Sequence, residues 1–149
     1  MVEDRRRLEC PHTRGVTIAM TVPASLRRWF VVHFVADIIF AVPLVLVPVN
    51  LLQVLGWPTV DPLTARMVGA ALAGIGIESL LCRNDGIEAF RTMLRLKCIW
   101  SGAALVGLSL SLAQGAPRVA WAILAVFGGF AALWNYYRVR LRPRVGHDR

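Results

Sequence analysis

The sequence contains none of the short motifs that carry catalysis or nucleotide binding. There is no H-x-x-E-H, C-x-x-C or G-x-S-x-G, no P-loop, and no G-x-G-x-x-G opening a helix. Gly74-Ile75-Gly76 is a fragment inside an apolar run. Histidine is scarce: His12 and His147 fall in the polar ends and only His33 lies in an apolar segment, a poor start for axial haem ligation. No catalytic, metal or cofactor set is therefore read from the chain. The three cysteines, Cys10, Cys82 and Cys98, are an odd number, and all are expected on or near one reducing, cytoplasmic side. Structural disulfides are not expected, and Cys82 and Cys98 read as small apolar residues. No A-x-A-like site closes the first apolar run, which is longer than a signal-peptide core of about 7–15 residues, so no cleaved leader is read. Acidic residues are few, nine against 17 basic, for a net charge of +8. Such an excess can serve nucleic acid, but the cations sit at the ends of apolar segments and no soluble basic domain exists to carry a groove. Nucleic-acid binding is not expected.

What the chain has in excess is apolar residues, 56% of 149 before glycine is added, against about 45–50% with glycine for soluble domains. They are clustered. From Phe30 to Leu52 only His33, Asp37 and Asn50 interrupt the run as strongly polar residues. As a helix this stretch spans roughly 34 Å, enough for a hydrocarbon core of about 30 Å. Pro43 and Pro48 should kink its outer half. The turn-rich GWPTVDP (Gly56 to Pro62) leads into a second span, 63–82, with Arg66 near its outer start. Asp85 and Glu88 have capping-box spacing, so the third helix should begin near Gly86. Ile87, Phe90 and Leu94 recur at helical spacing opposite Glu88, Arg91 and Arg95, which marks 86–97 as an amphipathic turn or two at the interface, continuous with the third span to Ala113. QGAPR (Gln114 to Arg118) is the next turn, and the fourth span covers 119–137. The second and third spans have pure apolar cores of only about 16 residues and need their flanks to cross. Residues 1–29 read as a basic, disordered arm, within which Met20 opens MTVPASLRRWF as a second natural start. Residues 30–141 form the transmembrane domain and 142–149 a basic tail.

Charge placement gives the orientation. Six cations lie in the N-terminal arm, four between the second and third spans (Arg83, Arg91, Arg95, Lys97) and five in the tail, against Arg66 and Arg118 alone on the other side. By the positive-inside rule this split needs an even number of crossings with both termini inside. Trp29, Trp57, Trp100, Trp121 and Trp134 all fall within a turn or so of an expected helix end, where indole prefers to sit. The expected fold is an all-α transmembrane four-helix bundle with cytoplasmic N and C termini.

Without a hydrophobic drive between helices in lipid, packing rests on small residues and polar pairs. The second span offers Ala70, Gly74, Glu78 and Cys82 at four-residue spacing, with Gly69 and Ala73 alongside. The third offers Ala103, Gly107 and Ser111, and the fourth Ala125 and Gly129. The expected packing set is Ala70, Gly74, Ala103, Gly107, Ala125 and Gly129. His33 and Asp37 are four apart on one face of the first helix. Together with Glu78, Ser101 and Asn135 they place a polar group on every helix at similar depth, in the cytoplasmic half. Ionisable groups in hydrocarbon normally face the bundle and have a partner. Three readings stand side by side: a small polar site for a proton, a cation, or a lipid or quinone headgroup; a buried clasp that fixes register; or, for Glu78, snorkelling toward Arg83.

The strings DIIFAVPLVLVP, RMVGAALAGIGIESLL and LKCIWS resemble small uncharacterised four-helix membrane proteins of bacteria and archaea. The layout over Phe30 to about Leu141 is similar to that of the DoxX-like group. The resemblance implies the four-helix fold and carries no functional residue across. The first functional expectation is an accessory or scaffold protein of the inner membrane, its partners the bilayer and another membrane protein or a second copy. The alternative is a small-solute, proton or lipid/quinone-binding protein using His33, Asp37 and Glu78. A membrane enzyme or quinone-linked redox subunit ranks last.

Overall fold

A computed structural model describes residues 21–142, and the expected arm before residue 21 and the tail after 142 lie outside the described residues. Among the described residues five α-helices follow one another: α1 (Ala24–Leu46), α2 (Pro48–Val54), α3 (Pro62–Leu81), α4 (Ile87–Ala113) and α5 (Val119–Arg140), with a 3₁₀ turn at Cys82–Asn84. Four of these, α1, α3 with its 3₁₀ turn, α4 and α5, are long and apolar enough to cross a membrane.

Helix α1 starts six residues before the apolar run, because Leu26 and Phe30 are seated in the core at this end. Pro43 is accommodated within α1, while Pro48 ends it. Proline disfavours the helical conformation in the residue before it, and Val47 is accordingly non-helical at φ −134°, ψ 52°. The chain resumes as α2 with Pro48 at its first position, where its missing N–H costs nothing. The break leaves Val45 with a carbonyl near a helix end, and Arg66 Nε donates to it at 3.2 Å.

Both loops at the far end close by the same device. Gly56 N–H donates to Gln53 and Trp57 N–H to Leu52. Gly115 N–H donates to Leu112 and Ala116 N–H to Ser111. These are Schellman pairings, which need a left-handed residue after the helix end, and Gly56 and Gly115 supply it at φ 98° and 89°. Asp61 then caps α3, accepting from the N–H groups of Leu63 (3.1 Å) and Thr64 (3.0 Å), with Pro62 behind it. The capping box expected at Asp85 and Glu88 does not form. Gly86 is the N-cap and no side chain caps it, while Glu88 pairs instead with Arg91 one turn on. Helix α4 is continuous over 27 residues. At about 40 Å it is longer than a hydrocarbon core of about 30 Å.

Helix α1 packs along α3 and α4 along α5. The two hairpins join through a core of Leu26 and Phe30 from α1, Phe90, Met93 and Leu94 from α4, Trp134 and Tyr137 from α5, and Cys82 and Leu141. The start of α1 and the end of α5 therefore lie at one end of the bundle, together with Arg27, Arg28, Arg83, Arg91, Arg95, Arg138, Arg140 and Arg142. Arg66 and Arg118 are at the other end. A second core of Ala41, Leu44, Ala65 and Leu72 lies between α1 and α3, with Trp100 of α4 against it. Outside, large apolar side chains are bare along every span, among them Ile39, Met67, Ile99 and Val126. A water-soluble surface does not carry such a girdle. The architecture fits a multi-pass membrane protein.

The expected packing set is not the set that packs. Ala70, Gly74, Ala103, Gly107, Ala125 and Gly129 are all exposed, and a Cβ at Gly74, Gly107 or Gly129 would touch nothing within 4 Å. Helix α3 instead buries Ala65, Gly69, Leu72, Gly76 and Ser79. These alternate by four and three, the 3.5-residue period of a coiled-coil seam rather than a straight four-residue row. Helix α1 answers with Leu26, Phe30, His33, Asp37, Ala41 and Leu44. The glycines set the approach. A Cβ on Gly69 would stand 2.9 Å from Val45 Cγ2 and 3.0 Å from Leu44 Cβ, and one on Gly76 would stand 2.8 Å from Asp37 Cβ.

Candidate functional site

The only lysine in the chain is Lys97, and it is 1% exposed. It lies on the α4 face that also buries Phe90, Met93, Leu94 and Ser101, where α4 crosses α1 and α5. Its Nζ is 5.1 Å from the centre of the Phe30 ring and 4.9 Å from that of Trp134. A desolvated ammonium gains from such π faces. Ring contacts run from Phe90 to Phe30, on to Trp134 and then to Phe130 around this point, and the His33 ring meets Phe130 and Trp134 edge-on at 4.8 and 5.2 Å.

The charge is answered from α1. Lys97 Nζ is 3.0 Å from His33 Nδ1, and the same Nδ1 is 2.7 Å from Asp37 Oδ2. The i, i+4 spacing puts both α1 side chains on one face, and Gly76 opposite lets α3 close over Asp37. One imidazole nitrogen carries either a lone pair or a hydrogen, so Nδ1 serves Lys97 as acceptor or Asp37 as donor, not both at once. Asp37 Oδ2 is buried, and despite the short approach of Nδ1 no donor among the described residues is aligned on it. The result is a buried line of ammonium, imidazole and carboxylate that joins the α1–α3 hairpin to α4 and balances its own formal charge.

Of the five polar residues expected to cluster, His33 and Asp37 are brought together. Ser101 is buried on the face of Lys97, one turn on, but its hydroxyl donates to the Lys97 and Cys98 carbonyls of its own helix, the usual way a helical serine is satisfied. Glu78 is not in the interior. It is exposed, on the side of α3 away from Gly76, and accepts from the Cys82 thiol at 3.0 Å. The physical reason is the seam: with Gly76 and Ser79 facing α1, residue 78 must face outward, and the one buried ammonium is already matched by Asp37. Asn135 is also exposed and donates to Ala131 O at 2.9 Å. Its neighbour Trp134 takes the inward position and is a wall of the site.

Sequence reasoning missed Lys97 by grouping it with Arg91 and Arg95 as an interfacial charge. Two signals were present. Residues 90, 94, 97 and 101 share one helical face, and sixteen of the 17 cations are arginine, which leaves one lysine apart. Among the described residues no group of three or more His, Cys, Asp or Glu stands close enough to hold a metal ion. Compared with family models, curated proteins and solved structures, the chain matches none.

Proposed function

We propose that the protein is a multi-pass scaffold or accessory protein of the cell (inner) membrane, with both termini on the cytoplasmic side and its partner helices docked on its outer faces. The observation that carries this reading is the position of the small residues. Gly74 on α3, Gly107 on α4 and Gly129 on α5 are open to the outside, with Ala70, Ala103 and Ala125 one turn before them. Close helix approach needs such positions in lipid, and the bundle does not use them itself. The buried Lys97–His33–Asp37 line serves in this reading as the clasp between hairpins. The partner is another membrane protein or a second copy of this chain. The test is purification from mild detergent with Gly107→Leu and Gly129→Leu beside the wild type. The expected result is a stoichiometric partner or a dimer that both variants lose while their thermal unfolding stays within a few degrees of wild type. A wild-type chain that runs alone as a monomer defeats the scaffold reading.

A second reading rests on the shared Nδ1. A proton placed on or taken from His33 switches which of its two neighbours it serves, which suits proton handling. An ammonium in the same site opposes a bound cation, so the cation version of this reading is the weaker. Asp37→Asn separates the two. A folded variant that keeps its partner supports the clasp, and one that folds but loses proton movement across proteoliposomes supports the relay.

A further inference from the structure

Where α4 and α5 emerge at the arginine-rich end, they flank an open groove of about 410 Å³. Its floor is apolar and buried, made by Leu94 and Leu141. Its sides are arginine: Arg91 and Arg95 from α4, Arg138 from α5, and Arg142 just beyond it, with Thr92 between them. One acidic residue, Glu88, lines the groove, and it is already paired with Arg91. Arg91 also donates through Nε to Leu141 O at 2.9 Å, which ties the end of α5 to the start of α4 and fixes the width of the groove. The guanidinium groups of Arg95, Arg138 and Arg142 make no ion pair or hydrogen bond with another described residue. Three guanidinium groups thus line one concave site with no paired counter-charge among the described residues.

The geometry points to a binding site for the phosphodiester headgroup of an anionic phospholipid. Guanidinium matches phosphate oxygens with paired, parallel N–H donors, and the Thr92 hydroxyl adds a donor. The surroundings select a lipid over a soluble phosphate. Leu96 and Ile99 on α4, and Val139 on α5, are exposed apolar side chains within a turn of the groove arginines, so acyl chains have a surface to follow from the same site. Basic pockets between helices at a membrane surface are suited to such headgroups. The inference rests on the membrane reading but not on the scaffold reading, since the groove is apart from the small-residue faces.

The test is native mass spectrometry of the full chain in mild detergent, titrated separately with phosphatidylglycerol, phosphatidylcholine and inorganic phosphate. Phosphatidylglycerol is expected to bind at one-to-one stoichiometry and phosphatidylcholine far more weakly. At about five-fold per arginine, Arg95→Gln/Arg138→Gln/Arg142→Gln lowers phosphatidylglycerol affinity about a hundred-fold. Arg140→Gln is the control, because Arg140 stacks over Tyr136 outside the groove, and it leaves affinity unchanged. If the triple variant does not fold, the three single variants carry the test, each with its five-fold loss. Equal retention of both lipids overturns the site, as does a loss from Arg140→Gln as large as from the triple variant. Inorganic phosphate binding as tightly as phosphatidylglycerol makes this a phosphate site and overturns the lipid assignment. Loss of the lipid with a detergent-stable dimer intact separates this inference from the scaffold reading.

Discussion

An ammonium held away from water survives only beside a counter-charge or after losing its proton, and Lys97 has Asp37 one imidazole away. Removing one partner of such a pair leaves the other buried and unmatched, which costs about 3–5 kcal/mol, whereas replacing both with apolar residues is often near neutral. Lys97→Met and Asp37→Leu are each expected to lower thermal stability in detergent by that order. The double variant is expected to lose less than either alone. Additive losses in the cycle would show that the two residues do not act as a pair. Asp61 makes a smaller, pH-dependent contribution. The Thr64 hydroxyl and the N–H groups of Thr64 and Leu63 hold its carboxyl below the ordinary aspartate range. A carboxylate with a lowered folded value stabilises fully above its unfolded value and loses that contribution as the pH falls through the lowered one. The protection factors of the Leu63 and Thr64 amides, the intrinsic exchange rate at each pH divided by the observed rate, should therefore fall as the solution is acidified through the aspartate range, and in Asp61→Ala they should be low throughout.

Between helices, the α1–α3 seam decides which glycines matter. Gly76→Ala would set a Cβ 2.8 Å from Asp37 Cβ, a rigid neighbour, and force the helices apart. Overpacking of this kind costs about 1–3 kcal/mol. Gly74→Ala meets nothing and gains about 0.5–1 kcal/mol of helix preference. Thermal unfolding of the two variants in one detergent should therefore move in opposite directions, and a like response would refute the seam. The same pair shows what the sequence made legible. The four long apolar helices, the continuous start of α4 and the glycine turns follow from run length, spacing and local chemistry, all of which are local in the chain. The inward faces do not. On α3 the four-residue row through Gly74 and the four-three row through Gly76 both carry small residues, and only α1, with Asp37 needing space, selects between them. Lys97 was hidden likewise: in sequence it follows the exterior cations Arg91 and Arg95, and its spatial neighbours are Phe30, His33 and Trp134 from other helices.

At the scale of the molecule, two hairpins meet most closely at the arginine-rich end, and their far loops touch where Gly56 faces Pro117. If the positive-inside rule governs insertion, a reporter fused after Arg144 is expected to behave as cytoplasmic and one inserted at Thr59 as external. An external C-terminal reporter would reverse the orientation. The buried lysine has one more consequence. Because every other side-chain cation is arginine, the folded chain presents no lysine amine to solvent. A lysine-specific endoproteinase or an acylating reagent should find its ε-amine target only when the hairpins part. The single cut, between Lys97 and Cys98, then becomes a clock for opening of the bundle, readable on a gel as the appearance of two fragments. Its rate should rise in the Asp37→Leu variant in step with the loss of thermal stability.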